Sequence, residues 1–343
     1  MMTPQEATDL FQSLDLIGIG LAADAVRSRL HPEGVVSYII DRNINYTNFC
    51  TEYCSFCAFY RPMGHAEGYL LPQETVWQKI QETVELGGTG ILMQGGLHPD
   101  LKIEWYEDLL RSIKARFPIH LHCFSAPEIT NIAEVSGLTL RDTIARLRDA
   151  GLDSIPGGGA EILDDAVRHR ISRLKCTTAE WIDVHRTAHA LGMRTTATMM
   201  FGCGETIEQR VSHLEIVRRI QAETGGFTAF IPWTFQRENT SLGRFVKEEA
   251  TAVEYLRTLA ISRLYLENIL NVQSSWVTQG LKTCQLGLRF GGNDVGSIMI
   301  EENVVSAAGA HNKATEEDLR RMIRDAGFVP RQRDTLYRTL FLN

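Results

Sequence analysis

Residues 35–57 read VVSYIIDRNINYTNFCTEYCSFC, a β-branched run that turns polar at Asn45-Tyr46-Thr47-Asn48 and then delivers three cysteines, Cys50, Cys54 and Cys57. Val, Ile and Tyr side chains at this density predict a buried strand over 35–44. The loop that follows it is where an α/β fold places its ligand-binding groups. Working outward, β-rich runs recur at 89–95, 119–125, 152–156, 195–202, 227–234, 269–275 and 288–293. Amphipathic stretches separate them, for example 72–86 with Val76, Ile80 and Val84 on one face, and 206–224 with Ile207, Val211, Leu214, Val217 and Ile220. Strand and helix alternating eight times predict a parallel (β/α)8 TIM-type barrel. A doubly wound open sheet is the alternative, since periodicity does not reveal closure, and the short connection around 277–285 makes the eighth repeat irregular. No linker or charge block interrupts the run. The chain therefore divides into a helical lead-in over 1–34, a barrel over 35–300 and a C-terminal extension over 301–343 packed on the barrel.

The composition sets outer limits on function. The 343 residues carry 35 Lys plus Arg against 42 Asp plus Glu, a net charge of −7, with 44% hydrophobic and 22% charged residues. That balance builds a full core and excludes a disordered or low-complexity chain. Mild acidity weighs against a nucleic-acid partner. Charged, polar or Gly residues interrupt every apolar run before the roughly 18 residues a bilayer span needs, so no membrane partner is expected. Acidic residues Glu6, Asp9, Asp15 and Asp24 speak against a leader peptide, and the expected compartment is the cytoplasm. Seven cysteines, an odd number with three crowded together, do not make a disulfide framework.

Nearly every expected strand runs into a polar or Gly-rich cluster: Gln94-Gly95-Gly96, Ser125-Ala126-Pro127-Glu128, Pro156-Gly157-Gly158-Gly159, Gly202-Cys203-Gly204 and Gly291-Gly292-Asn293-Asp294. The cysteine loop is the chemically sharpest of these. Three thiolates at spacings of four and three fill three corners of an iron–sulfur cube and leave one iron open to a small molecule. A structural zinc is the competing reading, with His65 or one of Cys123, Cys176, Cys203 and Cys284 as fourth ligand. A simple electron carrier would likewise need a fourth fixed ligand. Three free core thiols within eight residues would have no packing rationale.

The C-x3-C-x2-C pattern, with Phe56 immediately before its last cysteine, resembles that of the radical S-adenosylmethionine (SAM) superfamily. The resemblance implies a [4Fe-4S] cluster on Cys50, Cys54 and Cys57, SAM on the open iron, and a 5′-deoxyadenosyl radical formed when the reduced cluster breaks the sulfonium bond. It also implies that Gly95 and Gly96 meet the SAM amino group, although Leu97 stands where an acidic residue is usual, which passes that contact to backbone groups or Gln94. Phe56 would lie beside adenine, Glu161 would bond ribose hydroxyls, and Lys175 or Arg170 would meet the SAM carboxylate. The plain readings of the last three are a helix-terminal carboxylate and solvated cations.

Residues 41–61, LMQGGLHPDL from Leu92, PGGGAEIL from Pro156, SSWVTQG from Ser274 and GGNDVGSIMIEENVVSAAGAH from Gly291 together resemble the dehypoxanthine futalosine cyclases of menaquinone biosynthesis. Two sister families share most of these blocks, the aminofutalosine synthases and the deazaflavin synthase subunit that joins tyrosine to a diaminouracil. The run Glu301-Glu302-Asn303-Val304-Val305 is the cyclase-like one. The implied reaction takes hydrogen from ribose C4′ of dehypoxanthine futalosine, closes the carbon radical onto the benzoate ring and removes one electron and one proton to give a spiro-cyclic product. Such a site needs a carboxylate holder, for which Arg289 and Arg237 are candidates. Asn293 and Asp294 are candidates for the substrate hydroxyls. His65, His98, His122, Glu128 and Asp294 are candidates for the proton acceptor. The aromatic cluster Phe49, Tyr53, Phe56, Phe59 and Tyr60 would shield the site, and a flavodoxin or ferredoxin is the implied electron donor.

Overall fold

The run 35–44 breaks at Ile40 into two strands with different partners, and this break organises the sheet. In the computed structural model, which describes residues 2–340, β1 (Val35–Ile39) and β2 (Asp41–Ile44) are followed by β3 (Gly90–Met93), β4 (His120–Cys123), β5 (Ser154–Ile155), β6 (Arg194–Phe201), β7 (Phe227–Thr234), β8 (Asn271–Val272), β9 (Asp294–Ser297) and β10 (Val329–Gln332). Strands β2 to β8 form one parallel sheet in sequence order, and β10, β1 and β9 form a second. A parallel bridge between Gln273 and Asp294 joins β8 to β9, and β9 pairs with β1 through Ser37–Asp294 and Ile39–Ser297. The hydrogen-bonded path thus runs from β2 around to β8, on to β9 and back to β1, the other half of the strand it started from. This is the expected TIM-type arrangement.

Helices alternate with the strands and cover the outside. Ile103–Lys114 buries Ile103, Tyr106, Leu109, Leu110 and Ile113 along one face, each apolar side chain contributing roughly 1.5–3 kcal/mol by leaving water. The lead-in forms two helices, Pro4–Gln12 capped by Thr3 and Leu16–Leu30 capped by Asp15. The expected strand over 288–293 is not one. Its backbone turns, with Phe290 N and Gly292 N donating to Gly287 O, and Gly291 adopts φ of 97° against the Arg263 side chain. The eighth position is filled by β9 instead. Strand β10, in the C-terminal extension, adds parallel to β1 and has no counterpart in the sequence reading.

Beyond β10 the chain seals the floor of the barrel. Fully buried Asp294 accepts from Arg333 Nε at 2.5 Å and Nη2 at 2.9 Å, from Ser37 Oγ at 2.6 Å and from Gly296 N at 2.8 Å. A buried ion pair is held at a large desolvation cost, and removing one partner strands the other charge. We expect Arg333→Leu to lower unfolding free energy in denaturant titration by about 3–5 kcal/mol. The double variant Asp294→Leu/Arg333→Leu should recover a large part of that loss; a single variant within about 1 kcal/mol of the parent would contradict the role assigned to the pair.

Candidate active site at the barrel mouth

The cysteine loop leaves the C-terminal end of β2 and is pinned on three sides. Cys50 N donates to Arg61 O, Thr51 N to Leu97 O, and Ser55 N to Ile171 O, while Leu242 N donates to Ser55 O. Arg61 Nη1 bonds the carbonyls of Ala58, Phe59 and Tyr60, so one guanidinium satisfies a turn that has no regular structure of its own. Cys50 and Cys54 are buried and Cys57 is partly exposed. Burial pushes the thiols of Cys50 and Cys54 up, with Lys175 opposing the shift at Cys54. Among the described residues no three His, Cys, Asp or Glu side chains converge as ligands of a single ion.

Gly95 and Gly96 are glycines because of close packing, not dihedral angle. A Cβ on Gly96 would fall 2.2 Å from Phe49 O and 2.8 Å from Cys50 Cβ, and one on Gly95 would fall 2.7 Å from the Tyr46 ring. The β3 loop therefore lies directly against the cysteine loop. Glu128 explains how it stays there: its carboxylate accepts from Gly95 N, Tyr46 Oη, Ser125 N and Ser125 Oγ at 2.7–2.9 Å. Burial pushes this carboxyl up despite those bonds.

Across the mouth, after β5, Glu161 is held at φ of 41°. Lys175 Nζ donates to its Oε1 at 3.0 Å and lies 5.1 Å above the Phe56 ring. Glu161 Oε2 is buried with no hydrogen-bond partner. Arg168, which the sequence reading passed over, supports this turn by donating to the carbonyls of Gly159 and Ala160.

Below these loops the barrel lumen holds a cavity of about 320 Å³. Polar side chains from alternate strand positions line it: Asp41 and Asn43 on β2, Gln94 after β3, His122 on β4, Thr196 and Thr198 on β6. Asn43 Oδ1 is a second buried acceptor without a partner. Burial lifts the Asp41 carboxyl to about 6, with Ser297 and Arg333 opposing. The segment after β9 roofs the cavity. Glu302 accepts the N–H groups of Val304, Val305 and Ser306 at 2.7–2.9 Å, which turns Val304 and Val305 into the lumen beside Trp233. Glu301 anchors the roof to Arg42 and Lys79, at 2.8 and 2.7 Å, and Asn303 Nδ2 reaches Asn45 Oδ1 at 3.2 Å.

The structure brings Cys50, Cys54, Cys57, Phe56, Gln94, Gly95, Gly96 and Glu161 to one mouth, and it separates others from it. Arg289 donates to Ala326 O and lies over the Phe328 ring, packed between the lead-in and the extension; it holds no ligand in the lumen. Asn293 bonds Arg263, Val272 N and Asn271, and Asp294 is saturated by the floor contacts above. Both therefore work in the floor, since the strand they were expected to end begins at Asp294. Glu128 has its oxygens filled by the loop it supports, which removes it as a proton acceptor. His98 Nδ1 accepts from Asp100 N, and Arg237 donates to Gly243 O and Lys247 O. Exposed His65 and half-buried Arg237 line an outer groove of about 990 Å³ beside Cys57, not the lumen. Arg170 donates outward to Gly204 O. Lumen residues Asn43, Thr196 and Thr198 were missed, although polar groups alternating along a barrel strand are the signal that marks them.

Comparison with known proteins agrees with this geometry. A family model described as Radical SAM superfamily matches residues 44–217, and one described as CofH/MqnC C-terminal region matches 224–342. The cyclic dehypoxanthine futalosine synthase of Halalkalibacterium halodurans is 51% identical over 337 residues, covering 98% of this chain and 90% of that protein. That of Streptomyces coelicolor is 45% identical, covering 100% and 86%. The 5-amino-6-(D-ribitylamino)uracil–L-tyrosine 4-hydroxyphenyl transferase of Methanothermobacter thermautotrophicus is 43% identical, covering 95% and 90%. Among solved structures, methylornithine synthase (PylB) superposes with a TM-score of 0.75 at 18% identity, covering 96% and 94%. The FeFe-hydrogenase maturase HydG of Carboxydothermus hydrogenoformans gives 0.78 at 16%, covering 98% and 77%; both likenesses concern the fold. Among the described residues no helix is long and apolar enough to cross a membrane. The cysteine loop, the barrel beneath it and the sequence matches over both halves lead to one assignment: the chain belongs to the radical SAM superfamily and is an enzyme of that kind.

Proposed function

We propose that this enzyme converts dehypoxanthine futalosine into its cyclic spiro product in menaquinone biosynthesis. The observation that carries the reading is the 51% identity to a cyclic dehypoxanthine futalosine synthase over 98% of this chain, roof and floor included. Transfer of a tyrosine-derived hydroxyphenyl group to a diaminouracil is the second reading, favoured by the 43% identical relative.

The residues present fit the cofactors that the superfamily implies. A four-iron cube takes its thiolates on separate iron atoms, which suits three cysteines spread along one loop. The raised thiols of Cys50 and Cys54 mean that metal binding there must release protons. Glu161 Oε2, ion-paired with Arg168 Nη1 at 3.7 Å but without a hydrogen bond, can accept from a donor such as a ribose hydroxyl. When bound, the cluster and SAM supply one electron and a carbon radical able to take hydrogen from ribose C4′. Cys50, Cys54 and Cys57 would hold the cluster, Gln94 and the backbone at Gly95 and Gly96 would meet the amino acid end of SAM, and Phe56 would lie along adenine. Lys175 is kept protonated by Glu161 and Cys54 although its burial works the other way. Asn43, Thr196 and Thr198 offer hydrogen bonds to the substrate hydroxyls. Val304, Val305 and Trp233 exclude water from the reacting carbons. A flavodoxin or ferredoxin would deliver its electron at the outer groove, where Cys57 comes nearest the surface.

Incubating reduced, cluster-loaded enzyme and SAM with dehypoxanthine futalosine should yield the spiro product by mass spectrometry. Turnover only with tyrosine and the diaminouracil would establish the second reading, and turnover only with the aminofutalosine synthase substrates would displace both. Cys54→Ala should lower bound iron from about four per chain to a small residue and abolish SAM cleavage, with the far-UV circular dichroism unchanged. An intact cluster in that variant would defeat the assignment of its ligands. Glu302→Gln keeps one acceptor oxygen for three N–H groups, so the roof loosens by about 1–2 kcal/mol. Its KM for substrate should rise about tenfold with SAM binding unchanged; an unaltered KM would show that the roof does not shape the site.

A further inference from the structure

His120 and His122 alternate along β4 and so share the face that points into the barrel. Ser154 Oγ on β5 lies 2.7 Å from His120 Nε2 and 2.7 Å from His122 Nδ1. A hydroxyl has one hydrogen to donate and lone pairs to accept with, so Ser154 donates to one ring while accepting from the other. With Nδ1 engaged, His122 turns Nε2 to the cavity it lines. There Thr196 Oγ1, which accepts from Gly157 N, stands 3.5 Å from Nε2, the far limit of a hydrogen bond. His120 stands at the start of β4 near the floor and is half-buried. Around it are Lys114, Asp153, Asp334 and Arg338, and Arg333 faces His122. Burial holds both imidazoles below their usual pKa, His122 at about 3, so both are neutral near pH 7.

We propose that His122, Ser154 and His120 form a proton relay that carries the ring proton of the substrate out of the barrel cavity through the barrel floor. The inference rests on the proposed cyclisation. Once the ribose carbon has bonded to the benzoate ring, the ring carbon at the junction still carries hydrogen and must lose it as a proton. His122 Nε2 accepts that proton while its Nδ1–H passes to Ser154 Oγ. The Ser154 hydroxyl hydrogen moves to His120 Nε2, and the His120 Nδ1–H leaves to solvent. One proton enters and one exits, no charge is stored in the barrel wall, and the C–H bond pair becomes part of the restored ring. The electron that departs with aromatisation goes to an oxidised iron–sulfur centre.

The relay is tested with Ser154→Ala and Ser154→Thr, using SAM, a reductant and dehypoxanthine futalosine deuterated on the ring. In Ser154→Ala, spiro product and deuterium release should fall at least about tenfold while 5′-deoxyadenosine forms within about twofold of the parent rate, and Ser154→Thr should restore product to within about threefold. Unchanged product formation in Ser154→Ala, or a parallel loss of deoxyadenosine and product in both variants, would overturn the relay. Nitrogen-15 NMR of the imidazoles in the unloaded protein gives a readout independent of turnover. His122 and His120 should both be neutral with hydrogen on Nδ1 at pH 7, and an imidazolium at either position would also overturn it. A parent enzyme that forms no spiro product while its imidazoles show this pattern would refute the cyclase reading and the role of the relay in it, and would leave the hydrogen-bonded chain itself standing.

Discussion

The barrel depends on the closure made at Asp294. Its backbone carbonyl accepts from Ser274 N after β8, its Cα pairs with Ser37 on β1, and its carboxylate gathers Ser37 Oγ and the guanidinium of Arg333. Three segments distant in sequence meet at one buried charge. A carboxylate at this depth is tolerated only while its oxygens are satisfied by ionic and neutral donors together. The C-terminal residues that supply Arg333 are therefore part of the barrel's closure, although they follow the last strand of the ring by more than thirty residues.

Sealing the floor in this way permits what lies above it. Most (β/α)8 barrels fill their interior with branched apolar side chains. Here Asp41, Asn43, His122, Thr196 and Thr198 face a cavity, and two buried acceptors, Asn43 Oδ1 and Glu161 Oε2, accept no hydrogen bond from the chain, the second being met only by its ion pair with Arg168 at 3.7 Å. Each such group costs about 1–3 kcal/mol while unpaired. A stable fold carries that cost where a ligand recovers it, and acceptors awaiting donors call for hydroxyl-bearing ligands. The polar lumen and the cysteine loop thus describe one site from two ends.

Much of this was legible in the sequence, and the exceptions have physical causes. The cysteine loop and the strand–helix alternation rest on local patterns, and seven of the eight expected strands overlap the observed ones. The run 288–293 misled because its apolar residues precede two glycines whose role is a turn against Arg263, a tertiary fact. That displacement carried Arg289, Asn293 and Asp294 from an expected active site to the floor and the outer packing. Glu128 looked like a base because a carboxylate after a strand reads alike whether it faces a ligand or caps a helix. Its box with Ser125 is a local signal that favoured the cap. The lumen groups were readable in principle from the repeats Asp41-x-Asn43, His120-x-His122 and Thr196-x-Thr198, since period-two polarity within otherwise apolar strands marks an inward face that is not packed.

The division of labour along the chain bears on how related enzymes come to differ. The cysteine loop, the Gly95–Gly96 turn and Glu161 all lie within the residues matched by the superfamily model, whereas the roof around Glu302 and the floor around Arg333 lie within the separate C-terminal match. The first half therefore carries the groups suited to making a radical, and the second closes the space in which it reacts. On the proposed function, a radical formed at the mouth would take the C–H bond that the lumen presents, and positioning would set the outcome. Relatives with different named reactions at 43–51% identity over almost the whole chain are consistent with that logic.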